Sequence, residues 1–269
     1  MLKYFEIDSV KIACLMGKNE SDTSKKSLVF IHGSGGDHTG WLNQYAQLKE
    51  KYNVAMIDLP GHGRSEGKGE SHVKDYCVWV NKLLDTLALN EPILVGHSLG
   101  AAIALQFAVD YPEKIAGIVC LGGGIKMPVN PFMLEFLKTN PAEMPTEIID
   151  LMCKFSLAKE NRAKLSDPLR RSIAQSKVDI LYGDLVACNN LDLTEEICKI
   201  NVPAFIICGA EDKMTPPDFS RQLAANINGA RLAIVDGAGH MVMLERPDDF
   251  NMSLDKFAAS ISASVNRKD

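Results

Sequence analysis

The segment Ile93-Leu94-Val95-Gly96-His97-Ser98-Leu99-Gly100 constrains this chain more than any other. An apolar run that reads as a strand leads into Gly-x-Ser-x-Gly. The run Ala101-Ala102-Ile103-Ala104-Leu105 then continues as a helix. Gly96 and Gly100 lack Cβ atoms, so strand and helix can approach closely while Ser98 takes a strained backbone conformation on the turn between them. The hydroxyl of Ser98 is then presented at the strand's C-terminal end. The adjacent helix N-terminus favours developing negative charge. Such an arrangement suits attack on a carbonyl carbon.

The rest of the chain supports an α/β fold. Apolar runs predict strands near residues 4–8, 10–16, 27–31, 54–57, 93–96, 115–121, 204–208 and 231–235. Val73, Tyr76, Cys77, Val80, Leu84 and Leu87 recur at helical spacing, as do Phe250, Leu254, Phe257, Ala258 and Ile261. Strands that are continuous apolar runs, alternating with helices, belong to a parallel sheet covered on both faces. Sites in such sheets form where strands end. The alternation breaks between about 125 and 190, which carries Pro128, Pro131, Pro141, Pro145 and Pro168 but no clear strand. Helices are predicted there near 132–138, 146–157, 168–177 and 178–188. This interval reads as a helical cap, or lid, over a core domain formed by residues 1–124 and 191–269.

Composition narrows the setting. Of the 269 residues 46% are hydrophobic, enough for a sizeable core, and the net charge is −5 with basic residues scattered, so no nucleic-acid face is expected. No apolar run is long enough for a membrane span, and no apolar targeting segment follows Met1-Leu2-Lys3-Tyr4-Phe5-Glu6. The reading is a cytoplasmic protein, monomer or homodimer, with no membrane partner. Cys14, Cys77, Cys120, Cys153, Cys188, Cys198 and Cys208 form no C-x-x-C pair and read as reduced, buried thiols. No Cys/His spacing matches a metal site, and no cofactor is expected. Asn19-Glu20-Ser21 and Asn251-Met252-Ser253 match the glycosylation pattern by chance.

A serine nucleophile needs a base, and the base needs an orienting acid. Of six histidines, His240 follows the strand at 231–235 in the loop Gly237-Ala238-Gly239-His240, placed to reach over the sheet edge. Glu211 and Asp212 end the strand at 204–208, and Asp212, further into the loop, is the better partner. The order Ser98, Asp212, His240 is that of α/β-hydrolases. An oxyanion hole needs two backbone N–H groups. Leu99 offers one, and Ser34, in the glycine-rich loop His32-Gly33-Ser34-Gly35-Gly36, offers the other, with Gly35 as the next choice. That loop lacks a P-loop lysine and dinucleotide-fingerprint spacing. Gly33, Gly35, His97, Met127 and Met241 are candidate substrate contacts. Met127, Met133, Met144 and Met152 suit an adaptable apolar pocket or plain core packing. Asp58 and Arg64, in Asp58-Leu59-Pro60-Gly61-His62-Gly63-Arg64-Ser65, read as loop organisers.

Together with Val202-Pro203 and Gly209-Ala210-Glu211-Asp212, these motifs closely resemble the α/β-hydrolase superfamily, in its order and along nearly the whole chain. The resemblance implies an eight-stranded, mostly parallel sheet with helices on both faces and a helical cap inserted after strand 6. Haloalkane dehalogenases and epoxide hydrolases of this fold use aspartate where Ser98 stands, so those chemistries are disfavoured. Some members carry the acid after the sixth strand, where this chain has Gly122-Gly123-Gly124, which favours Asp212. The expected activity is that of a carboxylesterase-like serine hydrolase cleaving a small or medium carboxylic ester, thioester or lactone through an acyl-enzyme. The alternatives are a C–C bond hydrolase, a cofactor-free peroxidase, or a ligand sensor with slow turnover.

Overall fold

The computed structural model describes residues 1–17, 22–89, 91–140 and 144–261. Eight strands form one sheet: β1 (Leu2–Ile7), β2 (Val10–Met16), β3 (Ser27–Ile31), β4 (Asn53–Ile57), β5 (Ile93–His97), β6 (Gly117–Leu121), β7 (Ala204–Gly209) and β8 (Arg231–Val235). Their spatial order is β1-β2-β4-β3-β5-β6-β7-β8. The β1–β2 and β2–β4 pairs are antiparallel and the other five are parallel. Asp8 and Ser9, both at positive φ, make the two-residue turn between β1 and β2.

The helices are α1 (Leu42–Leu48), α2 (Val73–Leu87), α3 (Leu99–Asp110), α4 (Pro131–Thr139), α5 (Thr146–Ser156), α6 (Arg162–Ala174), α7 (Val178–Asn189), α8 (Pro217–Asn226), α9 (Val242–Glu245) and α10 (Pro247–Ser260). Alternate strand residues serve two cores, which is why the strand sequences are apolar without a break. Val29, Ile31, Leu94, Cys120 and Ile206 face the layer containing α2 and α3. Leu28, Phe30, Val95, Val119 and Ile207 face the layer containing Trp41, Phe250 and Phe257. Helix α3 is buried on nearly every side, as its run of alanine, leucine, isoleucine and phenylalanine requires. It can seat so closely because Gly100 is bare. A Cβ there would lie 2.2 Å from the Ile31 carbonyl oxygen, and one on Gly96 would lie 2.0 Å from the Gly100 oxygen.

Between β6 and β7 lie helices α4 to α7, close to the four predicted. The exception is α6, which begins at Arg162 and carries Pro168 inside it rather than at its start. The proline ring suits helical φ but forfeits the bond to the carbonyl four residues back, at a cost of about 3 kcal/mol. Ile173 and, in part, Leu169 pack with Ile149 and Cys153 of α5 on the far side of that proline. Cys198 is exposed, unlike the other six cysteines, which are buried as expected. Asn251 is buried within α10 and offers no glycan acceptor. Asn19-Glu20-Ser21 and Pro141 lie outside the described residues. Among the described residues no helix is long and apolar enough to cross a membrane.

Candidate active site

Ser98 sits at φ 53°, ψ −113°, between β5 and the first residue of α3. This positive φ is unfavourable for any residue with a side chain and is held here by packing on both flanks. Its amide donates to the Leu121 carbonyl at 2.8 Å, which ties the turn to β6. The Ser98 side chain opens into a cavity of about 590 Å³ that His240 also lines. No hydrogen bond engages the Ser98 hydroxyl or the His240 Nε2 edge among the described residues, which leaves both open to a reacting molecule. Such contacts often tighten only when substrate binds.

His240 is held from three sides. Its Nδ1 donates to Asp212 Oδ2 at 2.8 Å. Its amide donates to the Ser156 carbonyl at 2.8 Å. Its own carbonyl accepts from His97 Nε2 at 3.1 Å. Beneath the ring lies Gly122, at φ +64°, where a Cβ would approach Cε1 to 2.9 Å and Nδ1 to 3.0 Å. The glycines after β6 therefore leave room for this imidazole.

Asp212, at the end of β7, is the carboxylate that reaches His240; Glu211 is exposed and accepts from the Lys159 amide instead. Asp212 Oδ1 accepts from the Met214 and Thr215 amides, each at 2.9 Å, while Oδ2 also accepts from the Thr215 hydroxyl at 2.9 Å. Burial pushes its pKa up. The charge and hydrogen bond of His240 and the Thr215 donors outweigh that and hold the carboxyl below the usual range. The sequence reading missed Thr215. Its signal was the spacing, a threonine three residues after an aspartate, which favours a local side-chain turn.

Two further histidines are structural and neutral. His32 Nδ1 donates to the Gly33 carbonyl at 2.8 Å, while its Nε2 accepts from the Leu59 amide at 3.1 Å. One nitrogen donates and the other accepts, so the ring carries a single proton; burial lowers its pKa to about 4. His97 lines the cavity and packs against His240 with ring centroids 4.6 Å apart. Burial, then the neighbouring His240, lowers its pKa to about 3. Its single ring proton is used to hold the His240 backbone. Asp58 accepts from the amides of His38 and Arg64 and from the His38 ring, organising the loop after β4 as expected.

In the loop after β3, the Ser34 amide donates to no acceptor among the described residues. The Leu99 amide begins α3, so it has no partner within the helix. Ser34 lines the same cavity as Ser98, and Leu99 follows Ser98 in the chain. Gly33 and Gly35 line the cavity. The Gly35 N–H is committed to Asp184 at 2.8 Å, which leaves Ser34 as the free donor of the pair. Met127, Met133, Met152 and Met241 line the cavity. Met144 does not; it packs among the helices between β6 and β7. Phe132, Leu165 and Leu169 complete a mostly apolar wall, and the only lysine or arginine lining it among the described residues is Lys213.

A model of the alpha/beta hydrolase fold matches residues 26–247. Among curated proteins, the chain is 27% identical over 267 residues to a 2-hydroxy-6-oxononadienedioate/2-hydroxy-6-oxononatrienedioate hydrolase of Burkholderia vietnamiensis, with 89% of each covered. It is 27% identical over 253 residues to a 2-hydroxy-6-oxo-6-phenylhexa-2,4-dienoate hydrolase of Burkholderia cepacia, covering 87% of this chain and 88% of that protein. A solved thermophilic esterase superposes with TM-score 0.82 at 32% identity, over 97% of this chain and 99% of that one. The enol-lactonase of Burkholderia xenovorans shares the fold, with TM-score 0.89 at 22% identity over 96% and 100% of the two chains. With the family model spanning most of its length, this chain belongs to the α/β-hydrolase family.

Proposed function

We propose that this hydrolase is a serine esterase acting on a small or medium carboxylic ester, thioester or lactone. Ser98 Oγ attacks the carbonyl carbon while His240 Nε2 takes its proton. Asp212 fixes the tautomer of His240 and stabilises the imidazolium that forms. The Ser34 and Leu99 amides stabilise the oxyanion. As the tetrahedral intermediate collapses, the leaving oxygen or sulfur takes the proton from His240. Water, deprotonated by His240, then attacks the acyl-enzyme, releasing the acid and restoring Ser98. Residues 125–190 act as the cap that shapes the acyl pocket over the core of residues 1–124 and 191–269. The observation that carries the reading is the buried Asp212–His240 pair opening onto the same cavity as a strained, unengaged Ser98.

C–C bond hydrolysis is the second reading, and the names of the curated relatives favour it. The substrates in those names are carboxylates. The apolar wall here, with Lys213 as its one cation among the described residues, suits a neutral acyl chain better. The test is Ser98→Ala. It should abolish p-nitrophenyl ester turnover and labelling by a fluorophosphonate. Retention of both sinks the assignment, and steady turnover of a dienoate with none of any ester moves it to the second reading.

A further inference from the structure

Asp184, on α7, is completely buried and has no part in the triad chemistry. Its Oδ2 accepts from the Gly35 amide and from His62 Nε2, each at 2.8 Å. Its Oδ1 accepts from the Tyr76 hydroxyl at 2.5 Å, and that hydroxyl in turn accepts from the Glu70 amide at 2.9 Å. His62 Nδ1 faces the Pro60 carbonyl at 3.0 Å. Both ring nitrogens of His62 therefore face groups that only accept. The ring carries two protons, and His62 with Asp184 forms a buried ion pair.

A buried ion pair is a poor way to stabilise a fold, because apolar side chains of similar size do as well or better. What this one fixes is a turn. Three consecutive peptide groups of the loop after β3 are pinned. The Gly33 carbonyl accepts from the His32 ring at 2.8 Å and from the Gly36 amide at 3.0 Å. The Gly35 amide is held by Asp184. The Gly35 carbonyl accepts from the Ser176 hydroxyl at 2.5 Å, just before α7 begins. In a trans peptide the N–H and C=O point opposite ways. Pinning the Gly33 carbonyl therefore aims the Ser34 N–H the other way. Gly35, at φ +64°, has no room for a Cβ, which would lie 2.9 Å from Ser176 Oγ. The Gly33 carbonyl and the Gly35 amide, on either side of Ser34, are thus tied down, while the Ser34 amide is left free.

We propose that Asp184, paired with His62 and aided by Ser176, is a positioning residue that holds the Ser34 amide in place as an oxyanion donor. This rests on the serine-hydrolase reading above. The chain's own α7 thereby completes the reaction centre of the core, and a shift of α7 disorders the donor.

The test is Asp184→Asn, which keeps shape but removes the charge and one acceptor. On a p-nitrophenyl ester kcat should fall about 10- to 100-fold with KM within about three-fold, the signature of a misplaced group used only in the transition state. The inhibition constant of a trifluoromethyl ketone, which forms an oxyanion on Ser98, should rise in step with the loss of kcat/KM. The matching secondary alcohol, which forms none, should bind as before. An unchanged kcat and ketone affinity overturns the proposal, as does an equal loss for ketone and alcohol. Ser176→Ala serves if the first variant does not fold. It should weaken ketone binding selectively by a smaller factor, and equal affinity with unchanged kcat refutes the role. Wild-type protein that neither turns over esters nor takes up a fluorophosphonate would instead defeat the serine-hydrolase reading itself.

Discussion

Asp212→Asn separates orientation from architecture at this site. Four donors converge on the carboxylate: the Met214 and Thr215 amides on Oδ1, and His240 Nδ1 and the Thr215 hydroxyl on Oδ2. The asparagine oxygen replaces Oδ1 and keeps both amides, so the loop after β7 retains its shape. The side-chain NH2 group replaces Oδ2. The Thr215 hydroxyl can rotate to accept from it, but His240 Nδ1 must lose its proton to do so. The ring then carries its proton on Nε2, facing Ser98, and cannot accept another. Loss of one charge-assisted bond should cost about 1.5–3 kcal/mol of stability. The wrong tautomer should cost about 10⁴ in kcat, which is about 5.5 kcal/mol of barrier. The assay is saturation kinetics on a p-nitrophenyl ester, with thermal melting of the same samples. Stability also gains a signature in pH. A carboxyl held below its ordinary value contributes stability above that value, and the contribution is lost as pH falls through the folded pKa. Asp212→Asn lacks that acid-side contribution. A variant that folds normally yet keeps kcat within ten-fold of wild type would refute the tautomer argument.

Other perturbations should act through single contacts. Gly122→Ala places a methyl 2.9 Å from His240 Cε1 on a backbone at φ +64°, so ester turnover and fluorophosphonate labelling should fall at least about 100-fold, read by rate and gel. Glu245→Gln sets an amide NH2 against some of the donors now satisfied by Glu245, namely the Gly239, Met241 and Ala158 amides and the Asn161 side chain. It should lower stability by about 1–3 kcal/mol in denaturant titration and reduce kcat through the loosened His240 loop. His32 and His97 are held neutral with pKa values of about 4 and about 3. Because the unfolded chain takes up these protons near pH 6.5, stability should decline as pH falls below that value, measurable as a falling Tm between pH 7 and pH 4.5. Phe30→Ala, deep between the sheet and Trp41, should cost about 3–5 kcal/mol with the active-site chemistry otherwise intact.

The strands, the elbow and the positions of the candidate triad residues were legible because each depends on local chemistry. Continuous apolar runs need two covered faces, and a glycine is needed wherever backbone meets backbone, as at Gly96 and Gly100. Boundaries failed where a residue has two uses. Pro168 reads as a helix start, since its φ suits that position, yet tertiary packing carries α6 through it. The supports of the site were illegible for a different reason. Asp184 lies 149 residues from Gly35 and 122 from His62, and Glu245 lies 87 from Ala158. No periodicity links such pairs, and an isolated acid in a helix ordinarily reads as a solvated charge. Their common feature is what they grip. Asp184 holds the loop bearing Ser34, and Glu245 the loop bearing His240. In each case a carboxylate satisfies backbone donors that a bare glycine turn exposes. A glycine-rich loop at a strand end therefore carries an unmet demand for acceptors. A buried acid elsewhere in the chain has to meet it, and Asp184 and Glu245 are where this fold supplies it.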